Sequence, residues 1–226
     1  MCGRFTLTNP DPAKLRARFD LDPFVELDER PRFNIAPTDP VLAIRTGAGG
    51  RREAGRLRWG LVPGGWARDG TRALINARVE TLDRQPAFRE SFLDRRCLIP
   101  ADGFYEWRED ESGKQAVWIS RTDGEPFAFA GIWAALPDSG NGSVHSCAIV
   151  TCEPNQVVRP IHDRMPVILA PQTEAPWISG EGDPEALLEL LRPAVDDVLS
   201  AREVSDAVND VREDGPHLLA PPLKLF

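Results

Sequence analysis

Residues 95–109 read RRCLIPADGFYEWRE. Apolar, β-branched and aromatic side chains crowd this run without a helical period, so it is predicted as a strand. Six further stretches share that character: PVLAIRT (40–46), GRLRWGLVP (55–63), AVWISRT (116–122), FAFAGIWAAL (127–136), VHSCAIVTCE (144–153) and MPVILA (165–170). Gly, Pro, Asp or Asn bounds each of them. Three segments are predicted as helices: DPAKLRARFDL (11–21), capped by Asp11 or Asn9 with Pro near its start, QPAFRESFLD (85–94) and DPEALLELLRPAVDDVL (183–199). Regular βαβα alternation is absent, and 21 prolines break the chain into many short pieces. The expectation is an α+β fold: a mainly antiparallel, curved or barrel-like β-sheet with peripheral helices, rather than a doubly wound sheet. PDSGNGS (137–143) reads as a hairpin loop and not a domain boundary, so residues 1–226 are taken as a single domain.

At 226 residues the chain is long enough to bury a core without covalent staples. Its four cysteines, Cys2, Cys97, Cys147 and Cys152, accompany no secretion signal and are expected as free thiols. Cys147 and Cys152 would face opposite sides of one strand. No CxxC pair occurs, so neither a metal nor any other cofactor is expected. No apolar run approaches the roughly 20 residues of a membrane span. Without a basic-then-apolar leader, a soluble cytoplasmic protein is expected.

A net charge of −8 argues against nucleic acid at first sight. The distribution argues otherwise. Residues 1–108 carry a net +4, and residues 109–226 a net −12. Such asymmetry leaves room for a local phosphate-binding stripe. The cations are nearly all arginine, with lysine only at 14, 114 and 224. A GC-rich genome explains most of that bias; the fit of the arginine fork to phosphate is the functional alternative.

The chain opens MCGRFTL (1–7). Loss of Met1 would leave Cys2 with a free amine beside its thiol, a 1,2-aminothiol able to close a thiazolidine on an aldehyde. On these residues alone, a buried thiol on an N-terminal strand is the commoner outcome. Three polar residues stand in apolar surroundings: Asn76 in ALINARVET, Glu106 in ADGFYEW, and His162 in RPIHDRMPVIL. A carboxylate among aromatics gains a raised pKa, a histidine titrates near neutrality unaided, and an asparagine orients without charge. Each also has a plain structural reading as a solvated strand residue, a turn, or a satisfied loop residue. Arg4, Arg78, Arg159 and Arg164 lie near these positions and suit phosphates. Trp59, Trp66 and Trp107 suit either unpaired bases or the core. Spacing does not choose between these readings.

Eight segments together resemble one family. They are MCGRFTL, PRFNIAPT (31–38), RLRWGLVPGGW (56–66), LINARVET (74–81), FRESFLDRRCLIPADGFYEW (88–107), PFAFAGIW (126–133), CAIVTCEPNQVVRPIHDRMPVIL (147–169) and VSDAVNDVREDGP (204–216). In order and spanning essentially the whole chain, they are similar to the SRAP (SOS response-associated peptidase) family. That resemblance implies the SRAP fold and capture of abasic sites in single-stranded DNA through a covalent thiazolidine between Cys2 and the ring-opened sugar aldehyde. It implies Cys2, Asn76, Glu106 and His162 as catalytic residues, and Arg4, Asn34, Arg78, Trp107 and Arg164 as DNA-binding residues. It also implies self-processing to expose Cys2, a monomer, and no metal or membrane partner. A bacterial cytoplasmic setting follows, with nucleoid association when DNA is bound. The GGW at 64–66 and the acidic run at 109–112 look like variable regions.

Residue chemistry agrees with those roles. The Cys2 amine attacks C1′ and the thiol closes the ring. Glu106 moves the amine proton, His162 donates to O4′ as the sugar opens, and Asn76 orients the amine or the sugar. Two readings from other classes stand beside this one. An N-terminal Cys-Gly also begins glutamine amidotransferases, but no NGE-type segment is present. A noncatalytic single-strand binding module would bind without crosslinking.

Overall fold

The computed structural model describes residues 2–63, 73–111, 113–135, 145–180 and 182–222. Among the described residues, thirteen strands run in chain order: β1 (Arg4–Leu7), β2 (Arg32–Ile35), β3 (Pro40–Thr46), β4 (Arg52–Trp59), β5 (Asn76–Arg78), β6 (Arg96–Ala101), β7 (Gly103–Asp110), β8 (Gly113–Arg121), β9 (Phe127–Ala135), β10 (His145–Cys152), β11 (Met165–Pro166), β12 (Ile168–Leu169) and β13 (Leu199–Glu203). Four short helices lie between them: α1 (Pro12–Phe19), α2 (Pro86–Asp94), α3 (Pro171–Ile178) and α4 (Pro184–Glu189). The sheet order β10-β4-β3-β6-β9, with β9 also paired to β10, closes a small barrel. Most pairings are antiparallel; β10 runs parallel to β4 and, further along, to β5. A second sheet, β13-β8-β7-β1-β2, packs on the barrel. The expected α+β architecture with a barrel-like sheet is therefore present.

The 95–109 run is not one strand. It breaks at Asp102, and its halves belong to different sheets, β6 to the barrel and β7 to the outer sheet. The break is held from β1. The Asp102 N–H donates to Thr6 O (3.0 Å), and its carboxylate accepts from Thr6 Oγ1 (2.6 Å), Thr8 N (2.5 Å), Thr8 Oγ1 (2.7 Å) and Asn9 N (3.2 Å). Gly103 follows because the Trp118 indole occupies the space a Cβ would need, with its Nε1 only 2.2 Å from that point.

Beyond the break, period-two alternation sorts β7 onto two faces. Phe104 points at the barrel, where Phe5, Trp59, Phe127 and Phe129 join it in edge-on contacts with centroids 5.2–6.1 Å apart. Such pairs contribute about 1 kcal/mol each beyond their burial. Tyr105 points the other way, into a smaller cluster with Ala116, Val204, Val208 and Leu218. Glu106 returns to the barrel side, which explains why a carboxylate is buried there.

Local chemistry sets the helices. Asp11 caps α1 by accepting from Lys14 N (2.9 Å), with Pro12 at the first helical position. The helix expected over 183–199 is much shorter. Asp183 caps it, but α4 ends at Glu189, because Pro193 offers no N–H and disfavours helical geometry at Arg192. The chain then makes a 3₁₀ turn over Asp196–Val198 and becomes edge strand β13. MPVILA divides as well. Val167 bonds β10 through its N–H to Val150 O and β9 through its carbonyl to Ala130 N, so β11 and β12 serve different neighbours. The strands β9 and β10 that flank the expected hairpin loop pair antiparallel; residues 137–143 lie outside the described residues. All four cysteines are buried and free.

Candidate active site and nucleic-acid groove

The four residues expected to be catalytic come from four separate elements that meet where the outer sheet joins the barrel. Arg4 pairs with Tyr105 between β1 and β7, which brings the residues before Arg4 alongside Glu106. Cys2 is fully buried there. Its Sγ lies 3.8 Å from Arg4 O. Asn76, at the start of β5, reaches across from the barrel and donates from Nδ2 to Cys2 O (2.9 Å). Asn76 is thus a strand residue and not a turn. Its Oδ1 is buried with no hydrogen-bond partner among the described residues, as is Thr151 Oγ1 on the neighbouring β10. Buried acceptors seldom go unmatched unless a ligand completes them.

His162 follows β10 in a loop folded back on itself, its N–H donating to Val158 O (2.9 Å). Its Nε2 lies 3.9 Å from Glu106 Oε2. Its Nδ1 accepts from Arg164 N (2.9 Å). An amide N–H only donates, so this contact favours the neutral ring with its proton on Nε2, toward Glu106. Burial lowers the His162 pKa, with nearby positive charge adding to the effect and Asp163 opposing it. Burial also raises the Glu106 carboxyl to about 7, against the pull of nearby positive charge and with a smaller push from Asp163. A carboxyl in that range can both give and take a proton near neutrality. The Cys2 thiol is pushed well up, mainly by burial and then by the Glu106 charge, so it rests protonated.

Three open hollows join over these residues. One, of about 690 Å³, is lined by Arg78, Glu153, Arg159, His162, Asp163 and Arg164. The next shares His162 with it and adds Glu106, Trp107, Lys114 and Asn209. The third shares Trp107 with the second and reaches Gly3, Arg4, Thr38 and Val211. Together they form a trough passing the Cys2 region.

The expected DNA-contacting residues occupy different stations along it. Arg78 is exposed, and so is Arg159; among the described residues neither forms an ion pair. Trp107 is half-buried and its Nε1 donates to Asn209 Oδ1 (2.8 Å), which leaves a ring face at the trough. Arg164 lies 9% exposed, held by Glu80 and by Thr151 O. Arg4 donates from Nη1 to Asn34 Oδ1 (2.9 Å) and Val208 O (2.7 Å). Asn34 is 1% exposed and donates to the carbonyls of Val208, Asp210 and Glu213. Asn34 and Arg4 thus bind a strap, residues 208–214, whose Asn209 and Val211 wall the trough. Trp59 is wholly buried, its Nε1 donating to Ile75 O (2.9 Å), so it belongs to the core. Trp66, the GGW at 64–66 and Met1 lie outside the described residues. Reading the sequence gave no role to Glu80 or Asn209. The signal for Glu80 was an acid two residues beyond Arg78 in a largely apolar segment.

The family model for the SOS response associated peptidase (SRAP) matches residues 1–211. The chain belongs to the SRAP family. Among its relatives, the abasic site processing protein YedK of Escherichia coli is 34% identical, over 98% of this chain and 100% of that protein. The abasic site processing protein YoaM of Bacillus subtilis is 40% identical over 97% of both. A solved structure from Bacteroides thetaiotaomicron shares the SRAP chain's fold, with TM-score 0.84 at 23% identity over 98% of this chain and 100% of that one. No helix among the described residues is long and apolar enough to cross a membrane.

Proposed function

We propose that this protein captures abasic sites in single-stranded DNA by forming a thiazolidine crosslink through Cys2. The relatives named abasic site processing proteins support the substrate. The observation that carries the chemistry is the convergence on Cys2. Asn76 grips its carbonyl, and a carboxyl near 7 and a histidine with its proton on Nε2 flank the approach to it.

The steps balance as follows. The Cys2 amine adds to C1′ of the ring-opened sugar, and the carbinolamine loses water to give an imine. Glu106 takes the amine proton and returns one to the departing hydroxyl. Sulfur then bonds to C1′ while the thiol proton passes to nitrogen. Before these steps the C1′–O4′ bond breaks as Glu106 takes the C1′ hydroxyl proton and delivers it to O4′, while His162 donates a hydrogen bond from Nε2–H to O4′. A thiol that rests protonated suits this order, because sulfur is needed only after the imine exists.

Arg78 and Arg159, with Lys114 beyond His162, would take the phosphates that flank the lesion. Arg4, Asn34 and Arg164 would contribute chiefly by placing the trough walls, and Trp107 by stacking on a neighbouring base. The strand would kink to bring C1′ down to a recessed residue. Loss of Met1 is required, because an acylated nitrogen is no nucleophile; the same site is the candidate for that hydrolysis. We further propose a single-domain monomer working in the bacterial cytoplasm on nucleoid DNA. Intact mass spectrometry with an abasic single-stranded oligonucleotide tests the reading. The expected product is protein lacking Met1 plus one oligonucleotide, minus one water. Full-length Met1 with no adduct under these conditions refutes it.

A further inference from the structure

One ion pair fastens the groove wall that carries His162 to the wall that carries Asn76. Arg164 is bidentate to Glu80, Nη1 to Oε1 at 2.5 Å and Nη2 to Oε2 at 2.9 Å. A third bond, Nη2 to Thr151 O (2.7 Å), seats the guanidinium on β10. Glu80 sits in the 3₁₀ turn Val79–Thr81 directly after β5, which bears Asn76 and Arg78.

Arg164 is also the residue whose backbone N–H meets His162 Nδ1. The exposed Asp163 carboxylate lies 3.0 Å from that same Nδ1 and favours a proton there. Two groups therefore compete over one nitrogen, and the placement of the Arg164 amide decides between them. On its C-terminal side that amide is anchored through Met165, which pairs with Cys152 of β10; on the other side it depends on the Arg164 side chain. The strand after it, β11, is two residues long, and Pro166 in it has no N–H to give.

We propose that Glu80 is a positioning residue: by clamping Arg164 it holds the amide that keeps the His162 proton on Nε2, facing Glu106. Besides those two, Arg78, Glu153 and Arg159 face His162 from one hollow and Lys114 from the next. Only the kinetic consequence rests on the abasic-site reading, because the tautomer is a property of the unbound protein.

Nitrogen-15 NMR of the imidazoles decides it, since protonated and bare ring nitrogens resonate far apart. The chain has only three histidines, so a His162→Asn variant assigns the signals. Wild type is expected to show His162 as the Nε2–H form, Glu80→Gln to shift population toward Nδ1–H, and Glu80→Asp to recover part of the original. Crosslinking by Glu80→Gln should slow about tenfold, a fraction of what a general acid supplies. Affinity for an uncleavable abasic analogue should change less than about twofold. An unchanged tautomer in Glu80→Gln overturns the proposal, whatever the rate does. So does tighter binding with unchanged rate and tautomer, which would make Glu80 only a screen on Arg164. Should Glu80→Gln fail to fold, Glu80→Asp is judged by the same signals. Absence of any crosslink in wild type would sink the abasic-site reading and leave the tautomer comparison standing.

Discussion

Replacing Glu106 with glutamine should make the protein more stable, and increasingly so as pH rises. Burial lifts this carboxyl from its ordinary 4.5 to about 7. The residue is 2% exposed, so solvent screens little of the effect. At about 1.4 kcal/mol for each factor of ten in acidity, the gap is worth about 3 kcal/mol. The direction follows from where the proton resides. Below about 4.5 folded and unfolded chains both hold it, and the fold suffers no penalty. From there up through about 7 the unfolded chain ionises freely while the folded one resists, and stability drains away. Glutamine matches the shape and never ionises. Urea denaturation of wild type and Glu106→Gln between pH 4 and 8.5 measures the difference directly, because the remaining carboxylates titrate alike in both. The stability gap should widen by about 3 kcal/mol across that range. Parallel stability curves would refute the claim that burial, rather than a partner, governs this group. A wider gap joined to lost crosslinking would show a site kept at the expense of stability.

Cys2→Ala should leave binding to abasic single strands nearly intact and abolish the heat-stable complex on denaturing gels. Arg78→Gln and Arg159→Gln should each flatten the slope of log affinity against log salt by about 0.7, the value for one phosphate on a single strand, in fluorescence-anisotropy titrations. Asp102→Ala removes the acceptor for four hydrogen bonds at the β6–β7 junction and should cost about 3 kcal/mol in urea melts. Asn34→Ala should raise amide exchange across residues 208–214 without altering exchange in the barrel strands, as read by hydrogen–deuterium mass spectrometry.

The strands were legible where composition and boundaries agreed. PVLAIRT is β3 to the residue, because Pro40 opens it and the turn at Gly47 closes it. The 95–109 run reads as one strand because its apolar and aromatic side chains outweigh the Asp102-Gly103 turn signal inside it. Asp102 turns the chain only when Thr6 and Thr8, more than ninety positions earlier, supply the donors. The 183–199 helix was overextended because leucine spacing outweighed Pro193. At the site, three residues singled out by type and surroundings, Asn76, Glu106 and His162, do gather near Cys2. What composition hides is the destination of a charge. Arg78 and Arg164 look equivalent as letters, yet one is exposed in the groove and the other is tied to Glu80. The neighbours that distinguish them come from distant segments, and no short-range pattern encodes them.

The bond from Arg4 to Val208 O spans 204 positions. Synthesis delivers its two ends 204 positions apart: the residues beside Cys2 leave the ribosome well before the strap that walls their pocket. A chain stopped short of the strap therefore carries Cys2 without the wall that encloses it. Translation itself sets the order in which the site is built, with Cys2 in place long before the strap that closes its surroundings.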